Sequence, residues 1–169
     1  TDALNKQLAT EFGIDRLIVS DENYQLHLNH PALDSAKLDE EKVADRIVQR
    51  LEKEPGIARA FPLEELNELP LPSVIRKMLN NSYYPRRSGD IQVILLPDYI
   101  DAYSTTGTTH GLWNPYDAHI PLVWYGWGIK QGKTNRETYM TDIAATIAAL
   151  LHIQMPSGCV GQVIPEVMK

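Results

Sequence analysis

Residues 91–96 read IQVILL and residues 122–125 read LVWY, two nearly unbroken apolar runs that offer water no consistent face. Turn-forming residues bound both: Gly89 and Asp90 before the first, Pro97 and Asp98 after it, Pro121 and Gly126 around the second. Strands of this kind are covered on both faces, so the expected architecture is a central sheet flanked by helices. Residues 139–153, YMTDIAATIAALLHI, are expected to supply one of those helices. Thr141 is placed to cap it and Asp142 sits in its first turn. Ile143, Ile147, Leu150 and Leu151 form the stripe expected to be buried, while Ala144, Ala145, Ala148 and Ala149 keep the remaining faces slim enough for close packing.

The first half carries a different pattern. Residues 2–12 place Leu4, Leu8 and Phe12 on one helical stripe that Gly13 closes. RLIVS (16–20) and YQLHL (24–28) alternate like strands, with Asp21, Glu22 and Asn23 supplying a turn. Tyr24, Leu26 and Leu28 share one face. His27 points to the other, and His30 precedes Pro31 in an expected loop, so neither histidine is placed as a ligand. Residues 38–54 read as a helix with Val43, Ile47 and Leu51 in line, stopped by Pro55 and Gly56, and residues 57–61 as a further strand. An acidic connector (63–72) leads to a helix over 73–81, with Val74, Ile75, Met78 and Leu79 inward. The expected division is a small hairpin, helix and strand α+β subdomain over 1–72, then a core over 73–169.

Composition removes several function classes. A net charge of −6 at pH 7 and a pI near 5.3 argue against a nucleic-acid surface, Arg86 and Arg87 being the one basic cluster. No apolar run approaches the roughly 18 residues of a membrane span, and the first residues have neither the basic nor the apolar region of a signal peptide. Cys159 stands alone, so no internal disulfide is possible.

The chemistry-bearing stretch is residues 107–129, GTTHGLWNPYDAHIPLVWYGWGI. Gly107 and Gly111 bracket His110, and such glycines let the backbone turn sharply while presenting a neutral imidazole. Asp98, Asp101, Asp117 and His119 are the nearest other donors in sequence; Asp117 and His119, two residues apart, would share a face of an extended segment. Supporting roles are expected for these two. Thr105, Thr106, Thr108 and Thr109 read as a hydrogen-bonding loop rather than as a nucleophile. GWGIKQG lacks the spacing of a phosphate-binding fingerprint.

GDIQVILLP, GTTHG, YDAHIPLVWYGWGI and TDIAATIAALLHI, in that order across residues 88–164, resemble the alkaline phosphatase superfamily. The resemblance is closest to the bacterial phosphate-irrepressible alkaline phosphatases, beside the type I phosphodiesterase and nucleotide pyrophosphatase group. It implies an α/β/α sandwich of which this chain supplies the C-terminal part, with residues 1–72 as a cap. It further implies zinc-dependent hydrolysis of small phosphate monoesters, or diesters, by a periplasmic or secreted parent enzyme. His110 stands where the family's THG histidine ligates one of two zinc ions. The hydroxyl nucleophile and the other ligands match nothing here, so no catalytic residue is assigned and the isolated chain is expected to be inactive. Asp117 or a loop carbonyl is expected to orient His110, with Trp113 and Tyr116 walling the loop. Two other readings stay open: a fragment of a sulfatase-like ester hydrolase, and an autonomous binding or oligomerisation module.

Overall fold

The structure, a computed structural model, describes residues 1–100 and 111–168. The chain forms two compact units, Thr1–His119 and Ile120–Lys169.

The first unit opens with α1 (Asp2–Phe12), which buries Leu8 and packs Leu4 and Phe12 against the same core. Gly13 stops it at φ 72°, with its N–H donating to Ala9 O, the left-handed helix end that glycine adopts at least cost. Asn5 on this helix is also buried. Its Nδ2 donates to Ile18 O and its Oδ1 accepts from Ile18 N–H, both at 2.8 Å, so one amide satisfies both backbone groups of a residue in the outermost strand.

That strand is β1 (Ile18–Ser20), paired with β2 (Gln25–Leu28). Asn23 and Tyr24 between them hold φ of 57° and 59°, the doubly left-handed turn whose twist suits a hairpin, although a tyrosine is an unusual second residue for it. After α2 (His30–Ala36) and α3 (Glu40–Leu51) come β3 (Ile57–Pro62), α4 (Ser73–Ser82), β4 (Ile91–Leu95) and the one-turn α5 (Pro115–Ala118). The sheet order is β1-β2-β4-β3, antiparallel throughout, with Leu26 opposite Ile91 and Phe61 opposite Gln92. β4 thus comes from beyond residue 72 yet lies between two strands from before it.

The continuous apolar reading of β4 is explained by what covers it. Ile91 and Val93 join Leu8, Val43, Ile47 and Leu51 of α1 and α3 in one core. Ile94 joins Phe61, Leu66, Leu71 and Leu79 in another. Alternate residues of a strand face opposite sides, so a strand serving two cores has no polar side to spare. The expected helices over 2–12, 38–54 and 73–81 are present as α1, α3 and α4. Val74 differs from expectation: it is more than half exposed, and only Leu79 of α4 is fully buried. His30 also differs, since it begins α2 rather than lying in a loop. Asn29 caps that helix by accepting from Ala32 N–H, and Pro31 fits its first turn.

The second unit contains α6 (Asp142–Leu150) and, among the described residues, no strand. The expected LVWY strand is absent from this chain: Val123 is 82% exposed and Tyr125 100%. The face of α6 that is covered also differs from the expected one, although Ile143 and Leu150 are half-buried. Ala145, Thr146 and Ala148 are buried, whereas Ile147 is 42% exposed and Leu151, just past the helix end, 60%. The reason is a close approach that only small residues permit. A Cβ on Gly161 would lie 1.9 Å from Thr141 O, so the closing segment lies directly on the start of the helix. Thr141 itself makes no capping bond through its side chain. Asp142 does the joining instead: its Oδ2 accepts from Tyr139 N–H at 2.9 Å and its Oδ1 from Gln162 N–H at 2.8 Å. Thr146 Oγ1 accepts from Ile164 N–H at 3.0 Å and donates to Asp142 O at 2.7 Å.

Candidate functional site

Among the described residues, one group of histidine and carboxylate side chains has donor spacing compatible with a metal ion: His30, Glu40 and Asp90, whose ligand-type atoms lie within 4.8 Å of one another. Three elements bring them together. His30 opens α2, Glu40 opens α3, and Asp90 directly precedes β4, while the pairing of β2 with β4 brings residue 90 beside the end of β2. Asp90 is anchored there, its Oδ2 accepting from Leu28 N–H at 2.6 Å.

Nδ1 of His30 lies 3.2 Å from Glu40 Oε2, and Nε2 lies 3.0 Å from Asp90 Oδ1. Partial burial disfavours the charged ring, but the negative charges of Asp90 and Glu40 and the hydrogen bonds to both outweigh it, raising the His30 pKa above its ordinary value. A protonated imidazole donates from both nitrogens, so it bridges the two carboxylates as they stand. One cation cannot engage both nitrogens of one ring, because their lone pairs diverge. Metal binding here would therefore displace the proton and require Glu40 to swing toward the Nε2 side. The donor types suit a divalent ion; the observed geometry is that of a proton bridge.

The same unit carries a cleft of about 970 Å³, lined by Tyr24, Gln25, Gln92, Arg87, Gly111 and Trp113 among others. Gln92 is the unusual member, a polar side chain only 2% exposed in the middle of the sheet. Its Nε2 donates to Tyr24 O and Val93 O, and its Oε1 accepts from Gln25 Nε2, so the amide is fully engaged and holds the strained hairpin turn against β4. Arg87, half of the basic pair singled out in the sequence, supplies the cleft with a cation.

The sequence-derived candidates are distributed unevenly. His110, with Asp101 and the threonines at 105, 106, 108 and 109, lies outside the described residues. Gly111, which immediately follows His110, holds φ 118°, a conformation that a side chain would strain. Asp117 lies within α5 and His119 is the residue that ends it, so they do not share a face of an extended segment as expected; the helical turn begun by Pro115 prevents it. Asp98, Asp117 and His119 form no metal-spaced group among the described residues. Tyr116 is more than half exposed and its hydroxyl accepts from Asp98 N–H at 2.8 Å, whereas Trp113 packs at the edge of the core that contains Ile94. The His30 group was missed because its members lie up to 60 residues apart, and only the histidine at a helix start beside proline hinted at a defined position.

No family model matches the chain. Individual proteins do. It is 44% identical over 165 residues to alkaline phosphatase PafA of Elizabethkingia meningoseptica, covering 98% of this chain and 30% of that one. Alkaline phosphatase PhoV of Synechococcus elongatus is 42% identical over 147 residues, covering 87% of this chain and 26% of its own length. The crystal structure of wild-type PafA superposes with a TM-score of 0.93 at 44% identity, covering 99% of this chain and 32% of that structure. The chain is a homologue of the alkaline phosphatases. It spans about 30% of the length of the curated relatives it matches most fully, and its mixed α/β fold is that of one part of PafA. A further relative, 43% identical over 167 residues, is named a calcium-transporting ATPase of Myroides odoratus. In this phosphatase homologue GKT at 132–134 misses the nucleotide-binding spacing, since Trp127 stands where the leading glycine is required, and no helix opens there. Among the described residues, no helix is long and apolar enough to cross a membrane.

Proposed function

We propose that this chain is a portion of a metal-dependent alkaline phosphatase that hydrolyses phosphate monoesters. The observation that carries the reading is the agreement of 44% identity and a TM-score of 0.93 over essentially the whole chain. The phosphatase names of PafA and PhoV favour monoesters over diesters or sulfuric esters. His110 of the GTTHG motif serves as a zinc ligand, contributed by this chain to a site that the rest of the enzyme completes, in a periplasmic or secreted setting. Bound zinc would supply Lewis-acid stabilisation of phosphoryl oxygens and activation of a hydroxyl nucleophile. This chain's own task is to position one neutral imidazole. The cleft lined by Gly111, Trp113 and Arg87 is the space next to that motif in the chain and offers a cation to an anionic ester. Residues 1–72 contribute the hairpin side of the cleft, including Tyr24 and Gln25, which is the work of a cap.

The test is His110→Ala in the full-length phosphatase that contains this chain. Zinc occupancy and hydrolysis of an aryl phosphate are expected to fall together; full occupancy with unchanged turnover removes the assignment. The isolated chain is expected to hydrolyse no aryl phosphate and to hold zinc weakly.

A further inference from the structure

The segment that carries His110 is tied together at its two ends by described residues. Its first end is a tight turn. Tyr99 N–H donates to Leu96 O at 3.3 Å, Pro97 stands second in the turn and Asp98 third, at φ 67°. That is the pattern of a type II turn, in which proline suits the second place and the third needs a positive φ. Glycine adopts that conformation freely, whereas Asp98 holds it with a side chain attached. The turn is seated on Gly56, the residue before β3. Leu96 N–H donates to Gly56 O at 2.7 Å, and the Tyr99 ring lies so close over Gly56 that a Cβ there would come within 2.2 Å of its Cδ1.

The second end is fixed independently. Leu112 is buried, Trp113 packs against the core that contains Ile94, and the single turn of α5 closes with His119 N–H donating to Pro115 O at 3.0 Å. Tyr116 reaches from that turn to the first end, its hydroxyl accepting from Asp98 N–H at 2.8 Å. A type II turn uses only the N–H of its fourth residue, so Asp98 N–H needs an acceptor from elsewhere, and Tyr116 supplies it. The bond joins residues 18 apart, and His110 lies between them. Closing a segment at both ends removes conformations that its interior would otherwise visit. A metal ligand gains from this, because a side chain already held near its binding direction loses less entropy when the ion arrives. We infer that Tyr116 is a positioning residue for His110: through Asp98 N–H its hydroxyl fixes the span of the segment that bears the zinc ligand, and Gly56 gives the Tyr99 ring its seat at the other end. This role rests on the zinc reading of His110 and deepens it. It also gives residues 1–72 a second task, because the seat at Gly56 belongs to them.

Tyr116→Phe in the full-length enzyme tests it, since the ring stays and only the hydroxyl goes. Zinc affinity is read by competition with a chromophoric chelator, with His110→Ala alongside and the melting temperature of each zinc-free protein as a control. Tyr116→Phe is expected to hold zinc roughly three- to tenfold more weakly, the worth of one neutral hydrogen bond, and His110→Ala to lose far more. A tyrosine that serves the fold alone would lower the melting temperature and leave zinc affinity at the wild-type value. With zinc lost from His110→Ala, that result overturns the positioning role and leaves the ligand standing. Wild-type affinity in both variants removes ligand and positioning role together. Tyr99→Ala is expected to weaken zinc binding in the same direction, and wild-type affinity there overturns the part assigned to Gly56. Amide exchange gives a reading that does not depend on zinc. The Asp98 amide is expected to exchange several-fold faster in Tyr116→Phe, and an unchanged rate shows that the bond does not hold the segment, which also overturns the role.

Discussion

His30 Nε2 lies 3.0 Å from Asp90 Oδ1 while Nδ1 of the same ring lies 3.2 Å from Glu40 Oε2, so one proton-bearing ring ties the starts of α2, α3 and β4 together. Because the His30 pKa is raised in the folded chain, the folded state binds the proton more tightly than the unfolded one. The stabilisation is therefore complete below the unfolded value of about 6.5 and is lost as pH rises through the higher folded value. The side chain is 47% exposed, so solvent screening limits the effect to about 1 kcal/mol or less. His30→Gln should remove most of this pH dependence. Chemical denaturation at several pH values between 5 and 9 checks it: the wild-type advantage over the variant should shrink as pH rises. A constant difference would show that the ring acts by packing alone.

Nothing local in the sequence marks this bridge. Asp90 reaches His30 because β2 pairs with β4, a contact between segments 60 residues apart, whereas α1, α3 and β4 were legible because their signals are local periodicities with clear stops at Gly13 and Pro55. α2 escaped because only Leu33 of its seven residues is buried, too little for a stripe. The covered face of α6 was read only in part for another reason. Periodicity tells which face of a helix is apolar; it does not tell which face this chain covers, and here the small residues lie under residues 161–164. The zinc role of His110 in the GTTHG motif comes from the resemblance alone, since residues 107–110 lie outside the described residues.

Two isoleucines separate the inner core from the exposed face. Ile47 is fully buried on α3 beneath the sheet, while Ile147 is partly open on α6. Ile47→Ala should cost about 2–5 kcal/mol, the sum of lost transfer energy and the cavity left behind. Ile147→Ala in the isolated chain should stay within about 1 kcal/mol, because much of its surface already meets water. Urea denaturation of both variants decides. A large loss for Ile147→Ala would mean that its face is covered within the chain.

The junction between Gly161 and Thr141 admits no side chain. A methyl group at 161 would meet backbone atoms, which cannot rotate away, so Gly161→Ala should displace residues 161–164 from α6 and break the bonds from Gln162 and Ile164. Asp142→Asn tests the same junction without adding bulk. The carboxylate accepts two backbone N–H groups, and an amide can accept only through its one oxygen, leaving an NH₂ facing a donor. The expected cost is about 1–3 kcal/mol. Hydrogen exchange should show faster exchange at the Gln162 and Ile164 amides in both variants, with residues of the four-stranded sheet unchanged.

The remaining prediction concerns metal dependence in the full-length enzyme, which we propose to be a phosphatase. A ligating imidazole must be neutral, and it usually donates its second ring N–H to a carboxylate or carbonyl that fixes its direction. Asp117 is the nearest downstream carboxylate, held in a single turn of helix by Asp117 N–H donating to Asn114 O. If it orients His110, Asp117→Asn should lower zinc affinity or turnover by roughly 10- to 100-fold, less than loss of the ligand itself. Removing metal with a chelator should abolish hydrolysis in the wild type, and added zinc should restore it in Asp117→Asn at a higher concentration than the wild type requires. A structural role for Asp117 would instead lower thermal stability without moving the zinc concentration for half-maximal activity. Unchanged zinc dependence in Asp117→Asn would pass the orienting role to a loop carbonyl, while His110→Ala would still report on the ligand.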